Sequence, residues 1–220
     1  MPLTSRLQYR TAIFTEQVTL YPVSCERLAK GRSDIEWLDA VLAGGVKIVQ
    51  LRDKESDDGT LFEKAKVFRQ KTTAAGALLI INNRLDIALA VSADGIHLGN
   101  SDLPVEEARR LAPDLIIGVS ANTREQAASA ARRGASYYNI GPLFHTATKE
   151  GLSSFLGTEA IKSFSAASPL PFTVMGGIKF QHIQELIALG AKKIAVVTAL
   201  TEAADIEAET RRWLAAIQAS

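Results

Sequence analysis

The phrase AGGVKIVQ, residues 43–50, decides the fold because it joins the end of a helix to the start of a strand. Gly44 stands where a helix can end in a left-handed conformation, and the apolar, β-branched residues after it are typical of a buried parallel strand. The same pattern returns as RRGASYYNI at 132–140 and ALGAKKIAVV at 188–197, each with one glycine in that place. These phrases predict a chain built from repeated βα units.

Eight short apolar runs along the chain fit buried strands. They are Thr19–Val23, Ile48–Leu51, Leu78–Ile81, Gly95–Leu98, Leu115–Val119, Tyr137–Ile140, Phe172–Met175 and Lys193–Val197. Stretches with helical spacing alternate with them: Asp34–Ala43, Leu61–Thr73, Arg84–Val91, Val105–Leu111, Arg124–Arg133, Glu159–Phe164, Gln181–Leu189 and Ala203–Ile217. Asp34 and Thr123 are predicted to cap helices. Eight βα units predict an α/β protein, either a (β/α)₈ TIM barrel or an open doubly wound sheet.

The position of the glycines favours the barrel. An open dinucleotide-binding sheet would carry G-x-G-x-x-G after its first strand, where this chain has YPVSCERLAKG at 21–31. Glycines that suit a phosphate come late instead, at Gly176 and Gly177. We therefore expect residues 18–220 to form a single (β/α)₈ barrel domain. Residues 1–17 are expected to form a short N-terminal extension, packed outside or beneath the barrel.

The composition excludes several classes of function. The 25 Lys and Arg residues nearly balance the 24 Asp and Glu residues, so no global field would hold a nucleic acid. Cys25 is the single cysteine, which precludes an internal disulfide and suits a reducing compartment. No window approaches the roughly 20 apolar residues that span a bilayer, and the first 17 residues lack the apolar core of a secretory signal. We expect a cytoplasmic protein with no membrane partner.

Polar residues follow most of the predicted strands, at the barrel end where active sites of this fold lie. Gln50, Arg52 and Lys54 alternate after the second strand, so their side chains point to one side of an extended chain. The other strand ends carry Asn82, Asn83, His97, Asp102, Ser120 and Thr198, and the stretch GPLFHTATKEG at 141–151 adds Thr146, Thr148 and Lys149. Together they predict a phosphorylated or pyrophosphorylated substrate held with a divalent cation.

Each feature taken alone also has a structural explanation. The pair Gly176–Gly177 is often no more than a tight turn, and Asp102 before Leu-Pro often caps a helix. His97 is more often a structural hydrogen-bonding residue than a catalyst. The functional interpretation depends on all of these residues meeting at one rim of one barrel.

An ordered series of motifs resembles the thiamine-phosphate synthase family, also called thiamine-phosphate pyrophosphorylase. The motifs are VQLRDKE, INNRLDIALAVSADGIHLGNSDLP, IIGVS, GPLFHTATKEG, VMGGI and AVVTAL, between about Leu20 and Leu200. The resemblance implies a (β/α)₈ transferase that uses Mg²⁺. It would join 4-amino-2-methyl-5-hydroxymethylpyrimidine diphosphate to 4-methyl-5-(2-phosphoethyl)thiazole by a dissociative route, giving thiamine phosphate and pyrophosphate.

The resemblance also implies a role for each matching residue. The pyrimidine diphosphate would be bound by Gln50, Arg52, Lys54, Asn82, Ser120 and Lys149. The thiazole phosphate would be bound by Thr146, Thr148, Gly177, Val197 and Thr198. The implied metal ligands are Asn83 and Asp102. The residues predicted to be catalytic are Arg52, Lys54, Ser120 and Lys149.

Four positions depart from the family pattern. Asn83 stands where the family usually has an aspartate that binds magnesium, so a lower metal affinity is expected. Thr198 replaces a serine and keeps the hydroxyl. Ser24 and Cys25 stand where many relatives have Thr-Asp.

Other functions stay open at this point. A thiazole tautomerase-like isomerase would keep the phosphate site but would need neither the diphosphate nor the metal groups, which argues against it because Arg52, Lys54, Asp102 and Lys149 are all present. A non-catalytic barrel that binds thiazole phosphate or thiamine phosphate is favoured only by Asn83. A phosphosugar isomerase or aldolase is less favoured still, because no lysine of this chain sits at a strand end with an evident Schiff-base environment. The chain is also a possible homo-oligomer.

Overall fold

The computed structural model describes residues 3–146 and 155–219, and its eight strands form one parallel sheet. The strands are β1 (Leu20–Pro22), β2 (Ile48–Leu51), β3 (Leu78–Asn82), β4 (Gly95–Leu98), β5 (Ile116–Ala121), β6 (Tyr137–Ile140), β7 (Phe172–Val174) and β8 (Ile194–Val196). Neighbouring strands follow the order β1–β8–β7–β6–β5–β4–β3–β2. A parallel bridge between Val23 and Gln50 joins the two ends of this series. The (β/α)₈ barrel prediction is confirmed, and the open-sheet alternative is wrong.

Helices follow the strands in the predicted alternation. Within the described residues they are α1 (Leu3–Gln17), α2 (Asp34–Ala43), α3 (Asp58–Ala75), α4 (Leu85–Ala90), α5 (Val105–Leu111), α6 (Arg124–Ala130), α7 (Glu159–Ser165), α8 (Ile183–Ala188), α9 (Thr198–Thr201) and α10 (Ile206–Gln218). Among them, no helix combines the length and the apolar character that a bilayer crossing demands.

The helix caps correct one prediction. Ser33, not Asp34, is the N-cap of α2: its hydroxyl accepts from the Glu36 backbone N–H, and the Glu36 carboxylate accepts from the Ser33 N–H at 2.8 Å. This reciprocal pair satisfies two amides that no helical bond reaches, so the serine is preferred at the cap. Asp34 becomes the first residue of the helix and is buried. Thr123 caps α6 as predicted.

The glycines of the three repeated phrases behave in two ways. Gly134 and Gly190 adopt the left-handed conformation, with φ of 93° and 94°, which confirms the prediction. Gly44 stays right-handed at φ −65°, so the prediction is wrong there, and Gly45 makes the left-handed turn instead. Gly44 is needed for space, because a Cβ at this position would lie 2.5 Å from the Cβ of Thr210 on α10.

The N-terminal helix α1 lies across the end of the barrel where the strands begin. Phe14 stacks on the ring of Tyr137 inside the barrel, with ring centroids 4.4 Å apart. Arg10 donates to the Asp94 carboxylate at 3.2 Å and to the Asp114 carbonyl at 2.7 Å, just before β4 and β5. This end is therefore covered, while the opposite end is left for a site. The division of the chain at residue 17 stays a prediction.

Candidate active site

A cavity of about 510 Å³ opens at the carboxyl ends of the strands. Its wall contains most of the residues that the sequence singled out. They are Gln50, Arg52, Lys54, Asn82, Asn83, Asp102, Ser120, Thr146, Gly177, Val197 and Thr198. Thr148 and Lys149 lie outside the described residues. The structure thus brings eleven predicted residues to one cavity, and their individual roles stay predictions.

A continuous chain of hydrogen bonds joins five side chains that line this cavity and the fully buried Tyr137, and we call it the floor chain. It consists of Asn82, Gln50, Tyr21, Tyr137, His97 and Ser120, from six different strands. The donor–acceptor distances along it are 3.0 Å from Asn82 to Gln50, 2.9 Å from Gln50 to Tyr21, 3.0 Å between the tyrosine hydroxyls, 3.1 Å from Tyr137 to His97 Nδ1, and 3.2 Å from His97 Nε2 to Ser120. Polar side chains are thus held in fixed positions before any substrate arrives.

The two tyrosines of the floor chain were missed by the sequence analysis. Each sits in an apolar strand, where an aromatic residue is expected to belong to the hydrophobic core. Burial raises the pKa of both Tyr21 and Tyr137 above the usual phenol value, so both hydroxyls stay neutral and act only as hydrogen-bonding groups. Gly118 on β5 makes room for the Tyr137 ring, because a Cβ at position 118 would lie 2.1 Å from that ring.

The end of β2 supplies two cationic side chains, Arg52 and Lys54, to the cavity wall. The Arg52 backbone N–H donates to the buried Ser24 hydroxyl at 3.0 Å, and one guanidinium nitrogen lies 4.0 Å from the Cys25 sulfur. The two residues at the end of β1 that depart from the family pattern therefore contact Arg52 directly. These two contacts position the Arg52 backbone and its guanidinium group.

Asp53, between those two cations in sequence, is bound on the other side by Lys64 of α3. The Lys64 ammonium lies 2.6 Å from the Asp53 carboxylate, 2.9 Å from Asp34 and 2.8 Å from Glu26. The Lys64 ammonium therefore joins the segment after β1, the start of α2 and the segment after β2. Because Asp53 is held by Lys64, its charge is directed away from the cavity.

The carboxylates around Lys64 respond to burial in different degrees. Burial raises the pKa of Asp34 to about 6, against the lowering effect of the neighbouring ammonium. For Asp53 the raising effect of burial is outweighed by hydrogen bonds from Lys64 and Ser56, and its pKa falls below the usual range. The ion pairs raise the pKa of Lys64 despite its burial. At neutral pH the ammonium is charged, and Asp53 is ionised.

The loops after β7 and β8 form the opposite part of the opening. Gly177 has φ of 65°, and a Cβ there would lie 2.2 Å from the His145 carbonyl oxygen, so both conformation and space require glycine. Thr198 begins α9, whose first N–H groups have no acceptor within the helix. Backbone donors at this part of the cavity suit an anion.

Two oxygen-bearing side chains, Asp102 and Asn83, line the cavity. One Asp102 oxygen accepts from the Gly99 N–H at 2.5 Å, and Asn83 has φ of 62°. In the described part of the chain, no group of three or more His, Cys, Asp or Glu residues is placed to hold a metal. One carboxylate and one amide oxygen fit Mg²⁺, which is usually held by one or two carboxylates, water and substrate phosphates.

A closed barrel with a polar floor, cations at the end of β2, a glycine pair after β7 and a helix start after β8 defines an enzyme class that binds phosphorylated small molecules at the strand ends. A family model described as thiamine monophosphate synthase matches residues 20–200. The chain belongs to this family.

Individual relatives agree with the family match. The chain is 42% identical over 197 residues to the thiamine-phosphate synthase of Moorella thermoacetica, covering 89% of this chain and 94% of that one. It is 38% identical over 200 residues to that of Shouchella clausii, covering 90% and 96%. A solved thiamine phosphate pyrophosphorylase from Pyrococcus furiosus superposes with a TM-score of 0.85 at 32% identity, covering 92% and 96%. A 3-hexulose-6-phosphate synthase, at 18% identity and TM-score 0.64 over 90% and 99%, shares the fold.

Proposed function

We propose that this protein is a transferase that condenses 4-amino-2-methyl-5-hydroxymethylpyrimidine diphosphate with 4-methyl-5-(2-phosphoethyl)thiazole, forming thiamine phosphate and pyrophosphate. The observation that carries the proposal is the one cavity at which the floor chain, the β2 cations and the loops after β7 and β8 meet. Membership of the thiamine monophosphate synthase family supports it.

The floor chain would receive the pyrimidine ring. An aminopyrimidine carries donors and acceptors in one plane, and side chains with fixed donors and acceptors recognise such a ring more selectively than an apolar surface does. Gln50, Asn82 and Ser120 present these groups at the strand ends. The ring would thus be oriented with its diphosphate toward Arg52 and Lys54.

Those cations would assist the bond-breaking step. When the C–O bond to the diphosphate breaks, its electron pair leaves with pyrophosphate, and the ring delocalises the positive charge left on the methylene. Arg52, Lys54 and Lys149 would stabilise the negative charge that develops on the leaving group. The thiazole nitrogen then forms the C–N bond with its own lone pair, so the protein need not supply a nucleophile.

The remaining residues would hold the second substrate and the metal. Thr146, Thr148, Gly177, Val197 and Thr198 would bind the thiazole phosphate. Asp102 and Asn83 would hold Mg²⁺, which supplies charge neutralisation to the diphosphate when bound. We also propose a cytoplasmic location, which suits the unpaired Cys25, and a homo-oligomeric state.

The isomerase and the non-catalytic barrel are less favoured. A thiazole tautomerase-like enzyme has no use for cations at the end of β2, yet Arg52 and Lys54 both line the cavity. The decisive experiment is a turnover assay with both substrates and a magnesium titration, following thiamine phosphate and pyrophosphate separately. Equal, magnesium-dependent release of both products is expected. Folded protein that binds thiazole phosphate but forms neither product would overturn the proposal.

A further inference from the structure

Asn139 lies on the cavity wall but has no part in the floor chain or in the sequence-derived site. Its side chain is 8% exposed and lines the cavity from β6. In the sheet register it lies between Ser120 of β5 and Thr173 of β7. It therefore occupies the same layer of the barrel as the residue that ends the floor chain.

The Asn139 amide oxygen contacts β7. The Thr173 hydroxyl, itself buried, donates to Asn139 Oδ1 at 2.8 Å. The Nδ2 group is left on the other side of the amide, 3.4 Å from the point where a Cβ on Gly141 would stand, and Gly141 also lines the cavity. Within residues 3–146 and 155–219, no protein atom accepts a hydrogen bond from this Nδ2 group.

A fully buried amide donor without an acceptor is unfavourable, but this Nδ2 group keeps contact with the cavity, where a ligand can supply the acceptor. The group faces a cavity that a substrate occupies under the proposed function. A bound ligand with an acceptor atom at this place would complete it. Asn139 is thus placed to donate a hydrogen bond to a bound substrate.

We propose that Asn139 is a specificity-determining residue whose Nδ2 donates to a ring nitrogen of the pyrimidine substrate. The inference rests on the proposed function. The pyrimidine is favoured over the thiazole because the thiazole nitrogen must keep its lone pair for the new C–N bond. A pyrimidine ring nitrogen, by contrast, has an in-plane lone pair that takes no part in the reaction.

The test is calorimetric binding of the pyrimidine diphosphate to the wild type, Asn139→Leu and Asn139→Asp. Leucine and aspartate have nearly the same shape as asparagine. Leucine has no hydrogen-bond donor, and an ionised aspartate has none either. We expect both to weaken binding of the pyrimidine diphosphate at least tenfold, with the KM for thiazole phosphate within twofold of wild type. Tyr138→Phe is the matched control on the same strand, since its hydroxyl contacts the Phe164 carbonyl outside the cavity.

Two ligand analogues sharpen the result. In each, one pyrimidine ring nitrogen is replaced by CH. The wild type should lose at least tenfold in affinity for one of them, while Asn139→Leu should bind that analogue and the normal ligand equally. Wild-type affinity in the leucine or the aspartate variant would overturn the inference with the proposed function intact. A wild-type protein that does not bind the pyrimidine diphosphate at all would overturn both.

Discussion

The floor and the rim of the cavity are built from opposite kinds of interaction. The floor chain joins polar side chains that are already hydrogen-bonded to one another, and its two tyrosines are almost fully buried. The rim, which we define as Arg52, Lys54, Asp102, Gly177 and Thr198, presents charged side chains and loop backbone to the open side. A network of hydrogen-bonded polar side chains suits recognition of a ring, whereas charges near solvent suit a diphosphate whose charge changes during reaction.

This contrast predicts that rim changes act on turnover and floor changes act on substrate affinity. The largest effect is expected for Arg52→Ala, which should lower kcat about 10²–10³-fold, because a lost electrostatic contact to the leaving group is lost mainly in the transition state. Steady-state kinetics with both substrates measure it. Arg27→Ala is the control, since Arg27 pairs with Glu55 at 3.3 Å and is absent from the cavity wall. A kcat for Arg52→Ala within threefold of wild type would remove Arg52 from the mechanism.

Lys64 stabilises the segment that carries the rim cations, because it pairs with Asp53 between Arg52 and Lys54. Lys64→Met leaves Asp34 and Asp53 buried without their cation, which should cost about 3 kcal/mol of unfolding free energy at pH 7. Denaturant unfolding measures the loss, and Lys66→Met, two residues along the same helix, is the exposed control. Arginine at position 64 should restore part of the stability. Equal stability of Lys64→Met and wild type at pH 7 would show that the cluster contributes nothing.

The same cluster gives a pH dependence with a definite sign. The pKa of Asp34 in the folded protein, about 6, lies above its value in the unfolded chain, so the folded state binds more protons between about pH 4 and 6. The stability contribution of this carboxyl therefore falls as pH rises through that window. In Lys64→Met the carboxyls lack the cation, so the deficit relative to wild type should grow from pH 4 to pH 7. A deficit that is constant with pH would contradict this assignment.

A floor change should have a smaller and different effect. Tyr137→Phe removes the hydroxyl that joins Tyr21 to His97, and the KM for the pyrimidine diphosphate should rise about tenfold, the value of one hydrogen bond lost in a buried network. The kcat should change by less than about threefold, since the rim is untouched. Tyr138→Phe again serves as the control. A fall in kcat at unchanged KM would place Tyr137 in the chemical step.

The smallest effect is expected at the proposed metal site. Asn83→Asp adds a carboxylate, and the magnesium concentration for half-maximal rate should fall several-fold. The backbone at this position has φ of 62°, which aspartate tolerates nearly as well as asparagine, so the fold should be kept. A magnesium titration compares wild type, Asn83→Asp and Asn83→Ala, and alanine should raise the requirement. An identical requirement in all three would show that residue 83 does not contact the metal.

Much of the rim was predictable from the sequence, and much of the floor was not. Arg52, Lys54 and Thr198 follow apolar runs directly, so the rule that barrel sites lie at strand ends finds them. Tyr21 and Tyr137 meet although 116 positions separate them, and nothing local to either distinguishes it from a core residue. The same holds for Asn139, which sits inside a strand.

The fold, too, was predictable from the sequence only in part. Strand and helix order follow from local periodicity, and the bounds of β2, β4, β6, α2 and α5 are the predicted ones. The covering of the barrel bottom by α1 depends on contacts between Arg10 and residues some 84 to 104 positions away. Those contacts leave no local pattern in the sequence.

The central claim is that floor and rim act on different parts of one substrate during thiamine phosphate formation. It is tested most directly by kcat/KM for the pyrimidine diphosphate in wild type, Arg52→Ala, Tyr137→Phe and the double variant. We predict product formation by the wild type and free-energy losses that add within about 0.5 kcal/mol, as for independent sites. Absence of thiamine phosphate with wild type, or a tenfold departure from additivity in the double variant, would contradict the account.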